Sequence, residues 1–425
     1  MSKILPYNPI GFAERLEATG DYAASERQVF HWCGTHWQTV PEDELKSEAL
    51  QWLHHHTTWP ASAANARAAY DTALLFLPKL KAPDAARTII PMMNGYLHID
   101  GAVMHLGPHD KACGLRHVLN CSYDPAAPSP AEFAAFLERV LPDEAVRLRV
   151  QEYVGYTLTS DARHQRAQIF VGSGANGKGV LSNIVQELHA RTAAVQLNNL
   201  EGFRMSNMIG ASLIFCDEAP QRGIDEQALK SLIAGELVQI DRKYRDPVDT
   251  RITGKFLILA NHIPAVTDQS HGFWRRFDIV PFDVEIPPAE RDPMLAQRII
   301  TGELPGVLNW ALHGLTRLLT RGRFDECLPP AMLLTSENAK VETNSVAAWV
   351  KEADISLLTV TDTPKSDAYD HYAAWCKANG MAAVASPKYW KRVPDALGGE
   401  VLFHRKATAG GYVRTCNISL SAYSG

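Results

Sequence analysis

No stretch of this 425-residue chain approaches the roughly 18 consecutive apolar residues that a membrane span requires. The opening MSKILPYNPIGFAERLE has no apolar h-region followed by a cleavage site, so the expectation is a cytoplasmic protein, in a bacterial host. Cys-x-x-Cys spacing is missing as well. The seven cysteines are odd in number and scattered, which argues against a disulfide framework or a zinc module and for a reducing compartment. Excess positive charge is absent too: 42 Lys and Arg stand against 47 Asp and Glu, so any contact with nucleic acid must be concentrated locally. The run His54-His55-His56 is no metal motif, because consecutive histidines on a helix point in different directions.

What is present is an ordinary globular composition, 46% hydrophobic and 21% charged, with length for two to four domains. The apolar runs QIFV, SLIFC, KFLILA and FDIVPF between 168 and 283 alternate with helical patterns. That order predicts an α/β core with a largely parallel sheet. Helices are expected at 42–56, 129–141, 143–157, 306–320 and 336–353, and hairpins around Asp100-Gly101 and over 401–418. Four regions are expected. Residues 1–125 form an α+β domain with hairpins, 126–165 a helical collar-like segment, 166–358 the core with trailing helices, and 359–425 a winged helix. Between Ser386 and Arg414 six Lys or Arg stand against only Asp395 and Glu400, which makes that tail locally basic.

The segment GSGANGKG at 172–179 follows the QIFV run and leads into a helical pattern. Glycines at 172, 174 and 177, with Ala175 and Asn176, let the backbone curl so that N–H groups point at phosphate oxygens. Lys178 adds countercharge, and the helix N-terminus adds more. The position that usually carries a Mg²⁺-binding Ser or Thr is Gly179.

Downstream, LIFC ends in Asp217-Glu218, a strand end with two carboxylates. Asp217 is placed to hold Mg²⁺ and Glu218 to polarise an attacking water. KFLILA ends in Asn261, whose amide can hold that water or the γ-phosphate. Arg275 and Arg276 in GFWRRFD are candidates to stabilise charge on a phosphoryl group in flight. The stretch 238–253 predicts a protruding hairpin turning at Asp246-Pro247, with Arg242, Lys243 and Arg245 around Tyr244 near its tip. Cations beside an aromatic ring suit a single nucleic-acid strand.

This ordered set resembles superfamily-3 helicases, in particular the phage and plasmid primase–helicase group related to poxvirus NTPases. GSGANGKG is similar to its Walker A, LIFCDE to its Walker B, LILANHIP to its sensor-1 motif and GFWRRFDIVPFD to its arginine-finger motif. LKSLIAGELVQIDRKYRDP resembles the segment that carries its DNA-contacting hairpin. Upstream, MNGYLHID and SYDPAAPSPAEFAAFLERVLPD are similar to the helical domain that precedes these ATPases, and the tail resembles their winged helix. The resemblance implies a P-loop AAA+-like core, ATP and Mg²⁺, and a homo-oligomeric, usually hexameric ring. It implies sites shared between subunits, with Arg276 as the finger, and 3′→5′ movement along single-stranded or forked DNA. A separate primase or initiator is a further expected partner, for replication of a phage, plasmid or integrated element. Two other readings stay open: an origin-binding or loader ATPase that grips DNA without unwinding it, and a nucleotide-gated ring with an impaired site.

Overall fold

The computed structural model of the chain describes residues 7–420 except Thr57, Ala85, Gln221, Arg222, Lys243, Tyr244, Ala265, Thr267, Gln269, Gly380, Ala382, Ala409 and Gly410. Within helices and strands, the side chains of His56, Arg245, Asp246, His271 and 341–343 are also outside the description. Among the described residues, no helix is long and apolar enough to cross a membrane.

The centre is a five-stranded parallel sheet. Its strands are β1 (Ala167–Val171), β2 (Thr192–Ala194), β3 (Leu213–Cys216), β4 (Lys255–Ala260) and β5 (Phe277–Pro281). They lie in the order β5-β1-β4-β3-β2. The four longer strands are nearly continuous apolar runs because both faces of the sheet are covered. Alternation along each strand splits the side chains between two apolar clusters. Phe170, Leu213, Leu257, Leu259 and Val280 pack with the helices Glu144–Thr157, Lys178–Glu187 and Leu295–Arg321. Ile169, Ile214, Cys216, Ile258 and Ile279 pack on the other face with Leu229, Leu232, Ile240 and Val248.

The helix Glu144–Thr157 lies between the sheet and Leu295–Arg321 and is buried almost all round. Two features of the sequence permit this. Gly155 and Gly314 bring the two backbones together: a Cβ on either would stand 2.3 Å from a carbonyl oxygen of the other helix. The polar groups of the buried helix are paired. Arg149 donates to both carboxylate oxygens of Asp278 on β5 at 2.7 and 3.0 Å. Glu152 accepts from Arg317 at 2.8 Å, and also pairs with Arg321. Removing one member would leave a buried charge alone, which costs far more than the pair contributes.

The helix Leu295–Arg321 is longer than the sequence pattern predicts and runs straight through Pro305. The carbonyl that Pro305 leaves without a donor belongs to Thr301, in the solvent-exposed part of the helix, where water can serve it. Glu303 in the same turn accepts from the backbone N–H groups of Glu132 and Phe133, both at 2.9 Å. It thereby caps the helix Ala131–Val140, which has no side-chain cap of its own.

N-terminal to this core lie a small three-stranded sheet (22–40), helices Glu42–His56 and Ala63–Phe76, and a second three-stranded sheet (88–107). Beyond it, helices Lys365–Ala378 and Ser386–Leu397 and a hairpin, Phe403–Thr408 with Gly411–Cys416, form the tail. Their apolar cluster also takes in Val346 and Trp349 from helix Ser345–Glu352.

Candidate nucleotide site

The loop 172–179 joins β1 to the helix Lys178–Glu187. Gly174, Ala175 and Gly177 all hold positive φ (109°, 50° and 86°), so the chain curls tightly there. The curl is braced from both sides. Asn176 is buried, and its amide donates to the carbonyl of Phe282 at 3.0 Å. Ile286 N–H donates to the Ala175 carbonyl at 2.8 Å. A Cβ at Gly177 would come within 2.7 Å of Val140 and 3.0 Å of Phe136, so the helix Ala131–Val140 abuts the end of the loop. The sequence offers no local sign of this neighbour beyond the apolar face that carries Phe136 and Val140.

Lys178 turns inward. Its Nζ donates to the Gly172 carbonyl, and burial pushes its pKa down. Among the described residues no carboxylate pairs with it. A partly desolvated cation without a counter-ion, inside a curl of backbone at a helix N-terminus, fits an anion such as a phosphate. Gly179 departs from the usual pattern without steric cause: a Cβ there meets nothing within 4 Å.

The remaining pieces meet the loop because the strands are parallel and in register. Val171 pairs with Ala260, and Ile258 with Cys216. Gly172 N–H donates to Ala260 O at 3.2 Å and Ala219 N–H to Leu259 O at 2.8 Å. The loop, Asn261 and the pair Asp217-Glu218 therefore share the carboxyl-terminal edge of the sheet, where ligands bind in such folds. Asp217 and Glu218 are exposed, and the Asn261 amide stands 3.5 Å from the Glu218 carboxylate. Among the described residues no group of three or more His, Cys, Asp or Glu gathers that could cage a metal by itself.

Arg275 and Arg276 are not part of that edge. The Arg276 carbonyl accepts from Ala167 N–H at 2.8 Å, so the arginines sit where β1 and β5 begin. The length of β1, about 16 Å, separates them from the loop of their own chain. Arg275 donates to Gln165 at 2.9 Å, while Arg276 donates to Gly272 and its buried Nε has no hydrogen-bond partner among the described residues. Desolvation and the neighbouring Arg275 lower the Arg276 pKa.

The expected hairpin is present as Leu237–Arg242 paired with Arg245–Arg251. Its turn is not at Asp246-Pro247. Arg242 pairs with Arg245, and Asp246 and Pro247 belong to the returning strand. Burial of Ile240 opposite Val248 fixes that register, and Pro247 is tolerated in a two-stranded ribbon. Lys243, Tyr244 and the Arg245 side chain lie outside the described residues. The base of the hairpin is held by Arg251 on the Gly235 carbonyl (2.7 Å) and by Thr250, which donates to Glu26 at 3.1 Å.

The model of a family of unknown function, DUF5906, matches residues 170–276, a stretch that runs from the end of β1 to Arg276. Two viral relatives are similar to parts of the chain. The "Putative helicase L207/L206" of Acanthamoeba polyphaga mimivirus is 22% identical over 158 residues, 35% of this chain and 16% of that protein. The "Putative helicase 121R" of Invertebrate iridescent virus 3 is 24% identical over 203 residues, 43% of this chain and 22% of that protein. The chain thus spans less than a quarter of the length of these relatives. Among solved structures, the apo A form of the NrS-1 C-terminal region is similar with a TM-score of 0.55 at 12% identity, covering 98% of this chain and 100% of that one. A second apo structure of that region gives a TM-score of 0.52, also at 12% identity. The chain is a remote relative of viral proteins named as helicases, and it shares the mixed α/β fold of the NrS-1 region.

Proposed function

We propose that this chain is an ATP-dependent DNA helicase of the superfamily-3 kind, built on an AAA+-like core with a C-terminal winged helix. The observation that carries the reading is the common edge of the sheet, where the Lys178 loop, Asp217-Glu218 and Asn261 lie side by side. The loop N–H groups and Lys178 would bind the phosphates, Asp217 would help hold Mg²⁺, and Glu218 would take the proton from a water held by Asn261 as the water oxygen bonds to the γ-phosphorus and the bond to the ADP oxygen breaks. Bound Mg²⁺ would offset charge on the phosphate oxygens. Arg276 lies too far from its own loop to serve it, so a second copy of the chain completes each site. That requirement supports a ring. The hairpin, whose returning strand leads into the start of β4, would hold single-stranded DNA through Arg242, Lys243, Tyr244 and Arg245.

Strand separation of forked DNA by the purified chain, with ATP and Mg²⁺, tests the function. Unwinding that needs a 3′ tail and is lost in Lys243→Ala, with DNA-independent ATP turnover kept, is the expected result. Sequence-selective duplex binding with ATP turnover and no unwinding would favour the loader reading instead.

Gly179 has a specific consequence. Its Cβ position is open and its φ is ordinary, so Gly179→Ser fits without displacing a neighbour. The added hydroxyl is expected to lower the Mg²⁺ concentration needed for half-maximal ATP turnover. A Mg²⁺ titration that superimposes on wild type would mean that the hydroxyl position is dispensable.

A further inference from the structure

The tail presents a cationic surface built from residues other than those of the nucleotide site. The strand Phe403–Thr408 is the outer strand of a three-stranded sheet, and all six of its residues are exposed. Directly opposed residues in antiparallel strands share a face. Phe403 opposite Cys416, Arg405 opposite Arg414 and Ala407 opposite Tyr412 therefore lie on one side of the hairpin. Like charges placed directly opposite are destabilising, and among the described residues no carboxylate pairs with Arg405, Arg414 or Lys365. Edge strands often carry cations to prevent pairing with other strands. That purpose does not call for exposed aromatic rings, yet Phe403 is 48% and Tyr412 67% exposed.

The rings and cations are organised. The Arg405 guanidinium lies 4.4 Å over the Tyr412 ring at one end of the face. At the other end Lys365 stands 4.9 Å from the Trp390 ring and 5.0 Å from the Phe403 ring, which themselves meet edge to face at 5.3 Å. The two ends are about 13 Å apart along the strand, with Arg414 between them. Meanwhile the helix Ser386–Leu397, which would have to enter a duplex groove, carries Arg392 within the electrostatic reach of Glu226 and Asp268 of the core.

We infer that this hairpin face binds single-stranded nucleic acid, with Arg405, Arg414 and Lys365 on phosphates and with Tyr412 and Phe403 stacking on bases. The face shares no residue with the nucleotide site, and binding there requires no ATP turnover. The test uses the full chain without ATP. Affinity for a fluorescent oligothymidylate is measured by anisotropy, and 5-bromouracil in the same oligomer marks contacts by photo-crosslinking. The double variant Arg405→Ala/Tyr412→Ala is expected to bind about 10-fold or more weakly and to lose adducts within 403–416. Its unfolding midpoint and DNA-independent ATP turnover are expected to match wild type, since both side chains are at the surface. Three results would overturn the inference: unchanged affinity with no adduct in that segment, tighter binding of duplex than of single strand through these residues, or equal displacement by polyglutamate. If ATP turnover proved absent while the crosslinks appeared, the proposed function would fail and this surface would stand.

Discussion

Replacing Arg276 by Ala is expected to slow ATP turnover by on the order of 10³–10⁵-fold while ATP binding persists. The size follows from the role: an arginine that meets the phosphoryl group only as charge develops acts on the rate and little on ground-state affinity. The geometry adds a sharper expectation. The Arg276 backbone is tied to Ala167 at the start of β1, and the loop of the same chain lies beyond the other end of that strand. Lys178→Ala damages the loop but leaves the arginine, and Arg276→Ala does the reverse. Each variant alone should be inactive, whereas a mixture should regain a measurable share of turnover through hybrid sites. An inert mixture of two intact, assembling variants would place the arginine's action within its own chain or nowhere near the site. Arg275→Ala is the companion measurement, since Arg275 is exposed and already bonded to Gln165.

Glu218→Gln is expected to cost about 10²–10⁴-fold in turnover with ATP affinity kept. The substitution preserves shape and the contact to Asn261 but removes the group that accepts the proton. Asp217→Asn should instead raise the Mg²⁺ concentration needed for half-maximal turnover, because Asp217 is assigned to the metal. Equal effects of the two on both quantities would show that the division of labour at this strand end is wrong.

Much of this arrangement is legible in the sequence, and for a physical reason. A buried parallel strand must be apolar on both faces, so QIFV, LIFC, KFLILA and FDIVP announce themselves, and the polar residues that end them fall on one edge. Pairing register is another matter. Asp246-Pro247 has turn chemistry, yet both residues lie in the returning strand Arg245–Arg251, because burying Ile240 against Val248 outweighs local preference. Pro305 likewise looks like a helix start and is an interior residue, since the carbonyl it frees faces water. The Arg149–Asp278 pair joins residues far apart in the chain, and neither carries a local signal of the other. Asn176 reads as part of a phosphate loop, and its amide is spent on bracing that loop to Phe282.

The reading rests on ATP hydrolysis at the Lys178–Glu218 edge, coupled to a DNA strand. Steady-state ATP turnover by the purified chain, with and without single-stranded DNA and beside Glu218→Gln, tests that claim most directly. Turnover is expected to rise with DNA and to disappear in both conditions in the variant. Intact protein that binds ATP without hydrolysing it, or hydrolysis that survives Glu218→Gln, would contradict it.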